Sequence, residues 1–189
     1  MTAATNNAAI NIAATNIARI DQATAADAPR LFEVWEAAVR ATHDFLDEEA
    51  IATLVPMVRE LLATFAPLYC LRDSSGAPYA FIGVADGNIE MLFVHPAHRG
   101  SGAGRTLTAF AIGTLGATKV DVNEQNGQAA GFYAHMGFRQ AGRSERDPFG
   151  HPFPILHLEL PAIEMRQAFR PGYSQSFRPE GRGFNRSQF

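Results

Sequence analysis

Val94-His95-Pro96-Ala97-His98-Arg99-Gly100-Ser101-Gly102-Ala103-Gly104-Arg105-Thr106 is the stretch on which the reading of this chain turns. An apolar, strand-like run from Ile89 leads into it. Leu107, Phe110, Ala111, Thr114 and Leu115 follow it at helical spacing. Three glycines within five residues let the backbone pass close to a bulky ligand. The amides that open the next helix have no intrahelical partners. Strand, glycine-rich turn and helix start together make an anion cradle, and phosphate oxygens suit it.

Spacing separates three phosphate-loop designs. The dinucleotide fingerprint needs glycines at the first, third and sixth positions, but the sixth is Arg105 counted from Gly100 and Leu107 counted from Gly102. A triphosphate loop needs a glycine five residues before its Gly-Lys-Ser/Thr triplet. Gly104-Arg105-Thr106 imitates the triplet, yet Arg99 stands at the earlier position. Both designs fail.

What remains, Arg99-Gly100-Ser101-Gly102-Ala103-Gly104, resembles the Gln/Arg-x-x-Gly-x-Gly/Ala loop of the GCN5-related N-acetyltransferases, the GNAT family. A second family pattern follows in order at Asn126, Ala129, Phe132-Tyr133 and Gly137-Phe138. Within the family the chain is similar to small bacterial acetyltransferases of the YjaB type. The segments that carry this are Ala41-Thr42-His43-Asp44-Phe45-Leu46, Val122-Asn123-Glu124-Gln125-Asn126 and Gly142-Arg143-Ser144-Glu145. The resemblance covers residues 16 to 161 and implies an α/β fold: a mixed, mostly antiparallel central sheet flanked by helices and splayed between its fourth and fifth strands.

Periodicity agrees with alternating elements. Residues 16–21 read as a first strand. Asp27 is expected to cap a helix with Pro29 in its first turn, and a second helix is expected from Asp47, kinked or broken at Pro56. Strands are expected over 68–72, 79–85 and 89–94, the first two joined by the turn-rich Asp73-Ser74-Ser75-Gly76. Gly116 ends the helix after the cradle, Val120 and Val122 alternate along the next strand, Asn126 caps a last helix, and Gly137 stops it. Final strands are expected near 138–143 and 154–160.

Composition bounds the function. The 189 residues fit one domain with a sizeable core, residues 16–164, between two expected disordered segments, 1–15 and 165–189. With a net charge of −3, no global basic field recruits nucleic acid or an acidic membrane. No apolar run reaches the roughly 18 residues of a membrane span, and the Ala-, Asn- and Thr-rich start is not a secretory signal. The single cysteine, Cys70, excludes an intrachain disulfide and suits a cytoplasmic location. The tail beyond Glu164 sets five arginines against Glu180, a net of +4, which leaves −7 on residues 1–164. Its arginines and aromatics are the one place where nucleic acid is a plausible partner. Neither a monomer nor a homodimer is excluded.

The resemblance makes acetyl-CoA the donor. Its pyrophosphate is expected over Gly100, Ser101, Gly102, Ala103, Gly104 and Arg105, with Arg99 adding charge and the helix dipole helping. The family's pantetheine arm lies along the strand before the loop, which assigns Phe93 and Val94. Asn126 is expected to contact the coenzyme from the last helix start.

Tyr133 is the expected general acid, since a phenol with pKa near ~10 still carries its proton at neutral pH and can give it to the leaving sulfur. The base is open. A lysine-like amine is neutral in only about one molecule per thousand at pH 7.4, a deficit of roughly 4 kcal/mol, so a group that collects its proton is expected. Glu90, on the strand toward the cofactor, matches a glutamate base of some protein-lysine acetyltransferases. His43 with Asp44 is the competing pair and is expected at the acceptor. His95 and His98 are separated by Pro96 in a loop, so no metal site is expected. The implied acceptor is a primary amine, a protein lysine or a small amine, acetylated by direct attack. A non-catalytic acetyl-CoA sensor is the alternative.

Overall fold

The computed structural model describes residues 19–161 apart from 66 and 149. The expectations on residues 1–15 and 165–189 lie outside the described residues. Seven strands make one sheet: β1 (Ile20–Gln22), β2 (Leu68–Arg72), β3 (Pro78–Ala85), β4 (Asn88–Val94), β5 (Lys119–Asn123), β6 (Arg139–Ser144) and β7 (Ile155–Glu159). Their order is β1-β2-β3-β4-β5-β7-β6, antiparallel throughout except for the parallel β4–β5 pair. That pair meets only at Asn88 with Lys119 and Ile89 with Val120, so the sheet is splayed above this short junction.

Burial along the central strands alternates between two cores. Tyr69 and Leu71 of β2 and Ala80 and Ile82 of β3 point to one face. There they meet Leu107 and Ala111 of α3 (Ala103–Leu115) and Tyr133 of α4 (Gly127–His135). Leu68, Cys70 and Phe81 point to the other face, against Leu31, Val34 and Trp35 of α1 (Ala28–Arg40) and Ile51, Val58 and Leu62 of α2 (Glu48–Thr64). Strands buried on both faces read as continuous apolar runs rather than as alternation.

Gly83 of β3 is where the second core closes tightest. A Cβ there would stand 2.8 Å from both Leu68 Cδ2 and Phe65 Cε1. Its partner strand carries an irregularity that the apolar run does not reveal. Gly83 pairs with Met91 and Val84 with Ile89, which leaves Glu90 as the extra residue of a β-bulge. The bulge sends Ile89 and Met91, two positions apart, into different cores.

Two local expectations change. Asp27 does not cap α1 with its side chain. Its carboxylate accepts from Arg72 at 2.8 and 2.9 Å and from the Thr24 amide, because a bidentate, charge-assisted pair outcompetes one neutral amide. The same guanidinium holds Asp27 well below the usual carboxylate range. Pro56 does not break α2, which runs as one 17-residue helix capped by Asp47, whose carboxylate accepts from the Ala50 amide at 2.8 Å. Pro56 and Ala52 are both exposed, so the carbonyl that loses its helical partner is left to water.

Candidate active site

The chain between β4 and α3 is held in shape by its glycines. Gly100 and Gly102 have φ of 76° and 87°, in the left-handed region that side chains disfavour, and Gly102 caps α3. The first helical hydrogen bond there runs from the Thr106 amide to the Gly102 carbonyl, so the amides of residues 103–105 stand ahead of the ladder. Gly104 has a different duty. It faces the Phe132 ring, which a Cβ there would touch at 3.5 Å, an ordinary packing distance, so it marks where α3 packs against α4.

These residues border a cavity of about 450 Å³ that runs through the splay. Phe93, Val94, Arg99, Gly100, Gly102, Ala103, Gly104, Arg105, Asn126, Tyr133 and His43, all singled out from sequence, line it together. Asn126 is the side-chain cap of α4, accepting from the Ala129 amide at 3.0 Å. Ser101 is not among the lining residues; its hydroxyl turns back to donate to the His98 carbonyl at 2.7 Å. Asp44 is exposed and also lies outside the lining.

Tyr133 is 5 % exposed and its hydroxyl has no hydrogen-bond partner among the described residues, which leaves it available to a ligand in the cavity. Burial pushes the phenol above its ordinary value, so it keeps its proton across the physiological range. His43, three residues beyond the end of α1, lines the same cavity. Burial lowers this imidazole below its ordinary 6.5, the Arg99 charge acts in the same direction, and the Val39 carbonyl and Asp44 oppose them. Both groups are therefore held uncharged at neutral pH.

Glu90 sits elsewhere. It lines a second cavity of about 400 Å³ lower on the same strand, with Asp86, Asn88, Lys119, Asp121, His157 and Glu159. Asn88, 4 % exposed, donates its Nδ2 to Glu90 Oε1 at 2.8 Å. On the neighbouring strands, His157 Nδ1 lies 2.7 Å from Asp121 Oδ1 and its Nε2 lies 2.7 Å from Ser144 Oγ.

Sequence reasoning left several lining residues unassigned. Ala129 and Phe132 were visible as one face of a helix. Thr42 stood only within a segment of family resemblance and His98 was weighed only as a metal ligand, while Leu92 and Gln128 carried no signal of their own. His98 stacks on Tyr79 with ring centroids 4.3 Å apart. Phe45 meets Phe153 at 5.9 Å and His43 at 5.2 Å, joining the α1–α2 turn to the β6–β7 connection. Among the described residues no three His, Cys, Asp or Glu side chains gather as a metal site, and no helix is long and apolar enough to cross a membrane.

The arrangement can hold a phosphate-bearing ligand at one end and give and take protons at the other. Comparison with known proteins points the same way. A model of the acetyltransferase (GNAT) domain matches residues 67–140. The peptidyl-lysine N-acetyltransferase YjaB of Salmonella typhimurium is 39 % identical over 132 residues, covering 70 % of this chain and 90 % of that protein. Its Escherichia coli counterpart is 40 % identical over 128 residues, covering 68 % and 86 %. The solution structure of apo YjaB from Escherichia coli superposes with a TM-score of 0.70 at 37 % identity, over 75 % of this chain and 95 % of that one. The PaiA N-acetyltransferase of Thermoplasma acidophilum, crystallised with coenzyme A, shares the fold with a TM-score of 0.60 at 18 % identity, over 75 % and 98 %.

Proposed function

This chain belongs to the GNAT family of N-acetyltransferases, and on that premise we propose that it moves the acetyl group of acetyl-CoA onto the side-chain amine of a protein lysine. One observation carries the reading. The unpaired amides at the start of α3 and the Tyr133 hydroxyl border a single cavity, so a molecule anchored by its phosphates at one end can present a thioester to a proton donor at the other.

The residues fit the donor. Gly100 and Gly102 keep the cradle free of side chains, residues 103–105 offer amides, and Arg99 and Arg105 add positive charge beside the pyrophosphate. Phe93 and Val94 flank the pantetheine arm, and Asn126 stands at the opposite wall. Acetyl-CoA supplies an activated acyl carbon. The amine nitrogen attacks that carbon, the C–N bond forms and the C–S bond breaks. Tyr133 then gives its proton to the departing sulfur, which a dry cavity makes eager for one.

The lysine acceptor is supported by the names of the relatives and by the −7 balance of residues 1–164, which favours cationic partners. A small amine is the other acceptor class. We place the work in the cytoplasm, where the single thiol, Cys70, stays reduced in the core.

The test is free-thiol release from acetyl-CoA by wild type and Tyr133→Phe across lysine peptides and small amines. Acceptor-dependent release by wild type that collapses in the variant is the expected result. Tight acetyl-CoA binding without release in wild type would instead establish a sensor.

A further inference from the structure

Two groups were open as the base, and the geometry points to His43: we infer that its Nε2 takes the proton of the attacking amine, with Thr42 as the positioning residue that keeps Nε2 free. The inference rests on the acetyl-transfer reading of the same cavity.

The first support is location. His43, on the turn after α1, and Tyr133, on α4, line one cavity, whereas Glu90, at the bulge, lines the lower one. A base must come within hydrogen-bond reach of the nitrogen while the acid reaches the sulfur, and those two atoms sit on the same carbonyl carbon. His43 shares that space with Tyr133.

The second support is a proton count at Thr42. Its hydroxyl lies 2.8 Å from the Ala38 carbonyl and 2.8 Å from His43 Nδ1. A hydroxyl has one proton, and a carbonyl oxygen can only accept, so the proton goes to Ala38. Thr42 Oγ1 must then accept from His43, which assigns the ring's proton to Nδ1. The Val39 carbonyl also accepts from the imidazole and is met by the same Nδ1 proton in this assignment, so in a neutral ring the other nitrogen, Nε2, keeps its lone pair. The ring cannot easily turn away, because Phe45 packs on it at 5.2 Å and is itself held by Phe153.

The third support is electrostatic. The charged and titratable groups around the imidazole are Asp44 on its own turn, Arg99 and Arg105 on the cradle, His98 before it and Tyr133 on α4. Burial and Arg99 keep the ring neutral until it is needed. In the step itself, the nitrogen loses its proton to Nε2 as the C–N bond forms and its acidity rises. The C–S pair leaves with sulfur, which takes the Tyr133 proton. His43 ends protonated and Tyr133 deprotonated, and exchange with solvent resets both. An acceptor that arrives as an ammonium first sheds its additional proton to solvent.

The experiment uses the full chain with acetyl-CoA and Nα-acetyl-lysine amide. His43→Ala should lower kcat about 10²-fold, and added imidazole should restore part of it. The wild-type rate should fall with acid along a limb below pH 6.5, because protonated Nε2 accepts nothing, and His43→Ala should lose that limb. Thr42→Val should lower kcat about tenfold with acetyl-CoA affinity unchanged, and Thr42→Ser should recover it. If His43→Ala keeps wild-type turnover and limb, or if Glu90→Gln removes the limb, the assignment is overturned. A second readout needs no turnover. The imidazole tautomer, read by two-bond ¹H–¹⁵N correlation on the CoA-loaded protein, should be Nδ1–H in wild type and mixed in Thr42→Val. An Nε2–H ring in wild type sinks the proposal. An Nδ1–H ring in a wild-type protein that releases no thiol sinks the acetyl-transfer reading instead.

Discussion

Both cavities border β4, yet they handle charge in opposite ways. The upper one is walled by Ala38, Leu92, Phe93, Val94 and Phe132, and its burial holds the Tyr133 phenol and the His43 imidazole uncharged. The lower one is floored by Asp86, Glu90, Asp121 and Glu159, with Lys119 and His157 interleaved. There Asp121 and Glu159 are about half exposed and remain in water. The divide falls at the bulge, where one extra residue, Glu90, leaves the pleat. The contrast teaches that proton transfer calls for dry, neutral groups whose charge appears only in the transition state, whereas carboxylates in water serve solvation and long-range attraction.

Four changes break or sharpen that contrast. Tyr133→Phe should cost the largest factor, about 10² or more in kcat, with the coenzyme dissociation constant unchanged by equilibrium titration. A variant that turns over like wild type would remove the upper cavity from the chemistry. Gly102→Glu comes next: a side chain forced at φ 87° and a carboxylate in the anion cradle should weaken acetyl-CoA binding at least about tenfold by calorimetry. Undiminished affinity would mean that the phosphates sit elsewhere.

Glu90→Gln should leave kcat within about threefold, because the Asn88 hydrogen bond to Oε1 survives and the group lies outside the reactive cavity. A loss near that of Tyr133→Phe would erase the distinction between the two cavities. Asp121→Asn should change least. The aspartate is 52 % exposed and its pairing with His157 contributes at most about 1 kcal/mol, so Tm should fall by no more than about 4 °C and acetyl transfer should hold. A larger drop in transfer would give the Asp121–His157–Ser144 chain a part in the reaction.

The cradle was legible in the sequence because its parts are consecutive. Gly100, Gly102 and the amides after them act within six residues, and the same locality exposed Asn126 as a cap and Gly116 and Gly137 as stops, both with positive φ. The mixed, mostly antiparallel sheet and its splay came from family resemblance rather than from periodicity, since strands buried on both faces do not alternate, and the strand order came only with the structure. The acceptor side was not legible. Thr42 gains its meaning only once Ala38 and His43 are folded around its hydroxyl, and Phe153 reaches Phe45 across 108 positions of chain. The bulge at Glu90 was hidden for a related reason. It depends on how β3 registers against β4, with Gly83 allowing the close approach, and no pattern within Ile89–Val94 encodes it. Ser101 shows the opposite error: it belongs to the motif by position, yet its hydroxyl is bound within its own turn.

The two-pair junction between β4 and β5 has a further consequence for life in a crowded cell. Above Ile89 and Val120 the sheet carries two unfilled strand edges, and unfilled edges are templates for aggregation when they lie at a sheet's rim. Here they lie in the middle of the sheet, between strands that each pair on their other side, and the cavity lined by residues of β4, α3 and α4 opens there rather than at the rim. The fold thus offers hydrogen-bonding backbone to a ligand from an interior gap instead of from an outer edge.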